Sequence, residues 1–369
     1  MIYITQPDLP EINEYVKCLK KIWSTRILTN NGEFAQALEL KLASYLGAKN
    51  LLLVSNGTLA LQLALRALMI KGEVITTPFT FAATTNSILW ERLTPVFADI
   101  DPETYNINPK DVEKKITTRT SAIMAVHVYG NPCYVEQLKE IAQKHNLKVI
   151  YDAAHAFDVE YSHESILSWG DSSILSFHAT KIFNTIEGGA IVINDNKLVE
   201  EIQLLRNHGI RSEEEVPVVG TNAKMNEFQA AMGLCNLEKV GTKREARERI
   251  YTHYKEGLDG TNGIKFQRII ASKYNYSYMP VCFGSKKIRD RVYTDLIKIG
   301  VKSRKYFFPL TVNFGYFNKF GEDLVKKFNL KNAKSISDSI LCLPIYSDLQ
   351  MKVVDKIIDC TKQTVSLEE

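Results

Sequence analysis

No run of eighteen apolar residues occurs in this sequence, so no segment reads as a membrane-crossing helix. Cysteine is sparse: Cys18, Cys133, Cys235, Cys282, Cys342 and Cys360 stand far apart, without the close pairs of a metal site or the density of a disulfide scaffold. No metal is therefore expected, and the thiols are expected to be reduced and mostly buried. Excess charge of one sign is also lacking. The 46 basic and 42 acidic residues are dispersed and leave a net charge of only +4, which argues against a nucleic-acid surface and leaves room for an anionic small molecule. The first residues, Met1-Ile2-Tyr3-Ile4-Thr5-Gln6-Pro7, have neither a basic start nor an apolar signal core, so a cytoplasmic location is the expectation. Internal repeats, low-complexity tracts and long Pro/Gly linkers are missing too, and the units of the chain are expected to pack closely.

What is present suits a soluble globular protein: 369 residues, 45% hydrophobic and 24% charged, enough for a large domain and a smaller one. From about residue 36 to 210, helical periods alternate with short apolar runs: Leu51-Val54, Glu73-Thr77, Pro95-Asp99, Ala122-Val126, Lys148-Tyr151, Ser173-Ser176 and Ala190-Asn194. Intervening segments such as Thr58-Met69 and Val135-His145 have the helical pattern of crossovers between parallel strands. The fold class is therefore α/β with a mainly parallel sheet. A long helical stretch from Asn226 towards Tyr254, then a strand-like Tyr276-Val281, mark a separate C-terminal unit. The expected domains are residues 1–235 and 236–369.

Three segments carry candidate chemistry. In Val54-Ser55-Asn56-Gly57-Thr58-Leu59-Ala60 a strand ends and a helix begins, where free backbone N–H groups, the helix dipole and the Thr58 hydroxyl could hold a phosphate. The same residues would also serve as an ordinary helix cap. In Val149-Ile150-Tyr151-Asp152-Ala153-Ala154-His155 a carboxylate stands at the end of a buried strand, where α/β proteins bind ligands. A buried Asp152 needs a cationic partner, which a protonated cofactor ring nitrogen would supply, although an Asp can equally cap the next turn. In Ser173-Ile174-Leu175-Ser176-Phe177-His178-Ala179-Thr180-Lys181 a lysine follows a strand and precedes the glycine-bearing turn Glu187-Gly188-Gly189. In a cleft its pKa would fall and the neutral amine could form a Schiff base; on the surface it would be one more solvated lysine.

Taken together and in order, these segments resemble the DegT/DnrJ/EryC1/StrS sugar-nucleotide aminotransferases, of fold-type I among pyridoxal-phosphate enzymes. The likeness also covers Leu28-Thr29-Asn30-Asn31-Gly32, Thr77-Pro78-Phe79-Thr80-Phe81-Ala82-Ala83-Thr84, His127-Val128-Tyr129-Gly130-Asn131-Pro132 and Gly220-Thr221-Asn222-Ala223-Lys224-Met225-Asn226-Glu227-Phe228-Gln229. The resemblance implies an aspartate-aminotransferase-like fold, a large domain with a mainly parallel mixed sheet and a smaller C-terminal α+β domain. It implies that pyridoxal 5'-phosphate is held covalently by Lys181, with Asp152 on the pyridine nitrogen, Phe81 stacked on the ring and His155 near the phenolic oxygen. Ser176, Gly57 and Thr58 match its phosphate contacts, and Asn222 would reach the phosphate of a neighbouring subunit, so a homodimer with its site at the interface is expected. Two departures are mild: Asn226 stands where Ser or Thr is common, and Thr185-Ile186 precede Glu187 where glycine is more usual. Lys181 itself argues against the relatives that carry histidine there and remove a hydroxyl.

The overall pattern most resembles enzymes that take nitrogen from glutamate and aminate dTDP-4-dehydro-6-deoxyglucose at carbon four, chemistry used in surface polysaccharides such as O-antigen. Amination at carbon three of an isomeric keto sugar would use the same apparatus, and a non-catalytic cofactor-binding sensor is a third reading. For the sugar nucleotide the candidates are Asn30, Asn31, His178, Arg304 and Tyr306, the last two in the cationic and aromatic run Arg304-Lys305-Tyr306-Phe307-Phe308-Pro309. That run could also be a packed edge.

Overall fold

In the computed structural model, which describes residues 1–318 and 323–367, seven strands form one sheet. They are β1 (Leu51–Val54), β2 (Glu73–Thr76), β3 (Thr94–Phe97), β4 (Thr120–Val126), β5 (Lys148–Asp152), β6 (Ser172–Ser176) and β7 (Gly189–Ile193). Their spatial order is β1-β7-β6-β5-β4-β2-β3. Each strand overlaps the apolar run that announced it. Neighbours from β6 to β3 pair in parallel, whereas β7 runs antiparallel between β6 and β1.

The runs are continuously apolar because both faces of the sheet are covered. Alternate side chains feed two separate cores. Leu51, Leu53, Ile75, Ile123, Val149 and Val192 enter one, packed with Leu38 and Leu42 of α2 (Glu33–Tyr45), the helix after α1 (Ile12–Thr25), and with Leu138. Leu52, Val54, Val74, Met124, Ile150 and Ile191 enter the other, beneath α3 (Gly57–Ala67) and α4 (Ala82–Trp90), which supply Leu61, Ala64 and Ile88. At roughly 1.5–3 kcal/mol for each fully buried aliphatic side chain, this burial is the main force holding the layers.

The smaller sheet is antiparallel, in the order β8 (Ile264–Phe266), β9 (Met279–Phe283), β10 (Ile340–Leu343). The strand expected from Tyr276 begins at Met279 instead. Tyr276 has a left-handed φ of 52°, and Asn275 spends its side-chain amide on the carbonyls of His155 and Phe157, so this stretch is tied to a loop rather than to the ladder. The long helical stretch after Asn226 is two helices, α5 (Glu227–Leu237) and α6 (Val240–Leu258). Asn226 and Gln229 form a capping box at the start of the first, which explains how Asn serves where Ser or Thr is usual.

A further aromatic-rich cluster joins the two sheets, bringing Phe79, Phe97 and Tyr129 against Phe307, Leu310 and Cys342. The N-terminal residues lie along the smaller sheet: Ile2 bridges Val301, and the Ile345 amide donates to the Ile4 carbonyl. All six cysteines are free, but only Cys133, Cys282 and Cys342 are buried; Cys18, Cys235 and Cys360 are partly exposed because they sit on helix flanks rather than in strands or a buried loop. Among the described residues no helix is long and apolar enough to cross a membrane.

Candidate active site

The C-terminal ends of β5 and β6 and the N-terminus of α3 meet around a cavity of about 720 Å³. Gly189 makes the meeting possible. It is paired with Val54 on one side and Ser176 on the other, and a Cβ there would lie 2.7 Å from the Leu175 carbonyl oxygen and 2.8 Å from the Gly57 nitrogen. Gly57 is needed for a similar reason: its own Cβ would come within 3.1 Å of Ser176 Cβ, so the glycine serves the approach of helix to strand. Asn56 caps α3 through the Leu59 amide at 2.9 Å, and the amides of Gly57 and Thr58 have no intrahelical acceptor. Gly57, Thr58 and Ser176 line this end of the cavity together, a geometry suited to an anion.

Asp152 closes the floor, 5% exposed. Thr84 Oγ1 donates to its Oδ2 at 2.7 Å, and the Ala154 amide donates to Oδ1 at 3.1 Å. Thr80 lies 2.8 Å behind Thr84, extending the chain of hydroxyls. Burial nevertheless pushes the Asp152 carboxyl above its ordinary pKa, because the two donors and Lys181 only partly offset desolvation. Among the described residues no cation lies within ion-pair distance of it. A charged ring nitrogen would complete the site, and this is the structural observation by which the cavity fits pyridoxal phosphate.

Lys181 reaches the same cavity from the loop after β6. Burial, opposed by Asp152 and assisted by Arg304, lowers its pKa to about 8, so about a tenth is neutral amine at pH 7, far more than for a solvated lysine. Its Nζ donates to the Tyr278 hydroxyl at 3.2 Å. His155 accepts the Tyr129 amide at Nδ1, 3.2 Å away, which places its proton on Nε2 and makes that nitrogen a donor. Burial, then Lys181, holds the ring well below its ordinary pKa and so neutral. Phe81, 54% exposed, precedes α4 at the cavity wall.

His178, Arg304 and Tyr306 also line the cavity. Arg304 stacks on Tyr306, its guanidinium carbon 4.3 Å from the ring centroid. His178 is engaged by Thr180, 2.8 Å from its Nδ1, and by Glu187, which line the same cavity. Asn30 and Asn31 are not here. Both have left-handed φ angles, 63° and 60°, and line a different cavity of about 710 Å³ with Arg206, His208, Arg211 and Lys224. Asn222 is exposed and bridges Asn207, outside the Lys181 cavity of its own chain. Sequence reasoning missed the roles of Thr84 and Tyr278, and gave Phe307 only as part of the run from Arg304 to Pro309. Thr84 had a signal, lying one helical turn beyond Phe81, whereas Tyr278 had none, since it arrives from the edge of a strand distant in sequence.

Comparison with known proteins agrees along the chain. The profile of the DegT/DnrJ/EryC1/StrS aminotransferase family matches residues 10–362. A dTDP-4-amino-4,6-dideoxy-D-glucose transaminase of Shigella dysenteriae is 43% identical over 365 residues, covering 98% of both chains. One of the same name from Escherichia coli is 44% identical over 360 residues, covering 96% of each. Among solved structures, DesI in the presence of its TDP-sugar product superposes with a TM-score of 0.91 at 32% identity, over 98% of this chain and 92% of that one. A fold, a lysine-bearing cavity and a profile that agree from end to end lead to one statement: the chain is an aminotransferase of the DegT/DnrJ/EryC1/StrS family.

Proposed function

We propose that this enzyme moves an amino group from glutamate to dTDP-4-dehydro-6-deoxyglucose, giving dTDP-4-amino-4,6-dideoxyglucose. The sugar rests on the end-to-end likeness to the two transaminases named for that product. The family works with pyridoxal 5'-phosphate, which when bound supplies an aldehyde for amines and a ring that withdraws electrons from the reacting carbon.

In this reading Lys181 is the covalent anchor and, once released as an amine, takes a proton from substrate carbon and returns it. Asp152 would keep the ring nitrogen protonated. His155 would donate from Nε2 to the phenolic oxygen, and Phe81 would cover the ring face. Gly57, Thr58 and Ser176 would hold the phosphate, with Asn222 of a second copy completing that site. Arg304, the cation that helps depress the Lys181 pKa, offers charge to carboxylate or diphosphate, and Tyr306 and His178 offer further contacts. Asn30 and Asn31 would act from the second copy, a reading supported by their absence from the Lys181 cavity of their own chain. We infer a homodimer in the cytoplasm, serving O-antigen or related polysaccharide synthesis, with units at 1–235 and 236–369.

The test is incubation of the cofactor-loaded enzyme with glutamate and dTDP-4-dehydro-6-deoxyglucose, the product identified by mass spectrometry and NMR. An amine at carbon four with every ring substituent equatorial is expected. Conversion of the cofactor by glutamate with no sugar product would keep the aminotransferase and reject this sugar.

A further inference from the structure

Lys181 has four rotatable side-chain bonds, and something must keep its amine in the cavity whenever it is not covalently engaged. Among the described residues no carboxylate lies within ion-pair distance of Nζ, and the side chain it does meet is Tyr278, whose hydroxyl is 3.2 Å away. Tyr278 sits immediately before β9, so it reaches the lysine from the smaller sheet, 97 residues along the chain.

The phenol is held on several sides. Its ring lies tilted on His155 with centroids 4.5 Å apart, 5.4 Å from Tyr129, and edge-on to Tyr306 at 5.5 Å. Close packing of this kind fixes a rotamer and hence the position of the hydroxyl. Burial keeps that hydroxyl protonated, pushing it well above the ordinary tyrosine value. A neutral phenol can accept from an ammonium and donate to the lone pair of a neutral amine. A carboxylate in its place would grip the ammonium and raise its proton affinity, opposing the very state that burial of Lys181 favours.

Resting on the aminotransferase reading above, we propose that Tyr278 is a positioning residue. Its hydroxyl holds the free amine of Lys181 in the cavity through both protonation states, so that the group removing and returning the substrate proton is already in place. No atom of Tyr278 is consumed: the proton leaves carbon for the Lys181 lone pair and goes back to carbon from the resulting ammonium.

The experiment compares the full-length enzyme with Tyr278→Phe, which removes one oxygen and keeps the ring. In the glutamate half-reaction, followed by cofactor absorbance, the variant should convert about tenfold or more slowly, and the isotope effect with glutamate deuterated at its α carbon should rise as proton transfer becomes limiting. The KM for the keto sugar should stay within about twofold. A second readout needs no turnover: the rate at which the cofactor-free chain captures pyridoxal phosphate on Lys181 should fall several-fold, and Tyr278→His, which restores a polar atom, should recover part of both losses. An unchanged half-reaction and isotope effect would overturn the proposal, as would a rise in KM alone, which would make Tyr278 a sugar contact. If the unaltered enzyme fails to react with glutamate, the aminotransferase reading falls, and the capture rate still decides the role of Tyr278.

Discussion

At the scale of single residues the site turns on a buried carboxyl and a part-buried amine whose charge is disfavoured by their surroundings. Asp152 is raised above its ordinary pKa, so between that value and the folded one the native state binds more protons than the unfolded chain. Its contribution to the stability of the cofactor-free chain is therefore greatest at acid pH and is lost as pH rises through the folded pKa. Asp152→Asn should accordingly raise the melting temperature of the cofactor-free protein at neutral pH, by roughly 1–2 °C for each kcal/mol relieved, while lowering kcat by about 10²–10³-fold. Calorimetry and steady-state kinetics check the two halves; a variant both less stable and fully active would contradict the account. Lys181 is displaced the other way, to about 8, by burial. Capture of pyridoxal phosphate by the cofactor-free chain should speed up as pH rises and level off above about 8, as the neutral amine becomes the main species. Stopped-flow absorbance across that range tests it.

At the scale of elements, one antiparallel strand decides the geometry. β7 enters the sheet with its first residue between the ends of β1 and β6, and the start of α3 lies against it. The atoms that a Cβ on Gly189 would strike are backbone atoms, which cannot swing aside as a side-chain tip can. Gly189→Ala should thus cost about 1–3 kcal/mol and weaken pyridoxal-phosphate binding together, because the same clash displaces the amides of α3. Thermal melts and cofactor titration measure both. Loss of stability with cofactor affinity intact would separate the packing from the site. Strand positions themselves were legible in the sequence, since seven apolar runs covered on both faces leave little ambiguity. The direction of β7 was not, because an apolar run of this length reads the same either way.

At the scale of the whole molecule, three residues expected at the site lie elsewhere on the chain: Asn222, Asn30 and Asn31 do not line its Lys181 cavity. If they complete the site of a second copy, then Lys181→Ala and Asn222→Ala, each inactive alone, should complement one another in hybrids: one of the two sites is intact, and random mixing should restore about a quarter of normal activity. Co-expression with two affinity tags gives the measurement, and hybrids as inactive as either parent would rule out a shared site.

By itself the sequence determined the α/β class, the sheet strands, the Lys181, Asp152 and phosphate-facing segments, and the family they resemble. Each of these is local: hydrophobic period and short-range order are written into consecutive residues. Tertiary structure decided what depends on approach between distant segments. It alone put Thr84 on Asp152, Tyr278 on Lys181 and the Tyr129 amide on His155, and it moved the expected strand start from Tyr276 to Met279. Hydrogen bonds such as that between Lys181 and Tyr278, 97 positions apart, carry no periodic trace, because they arise only when packing of two sheets brings their loops together.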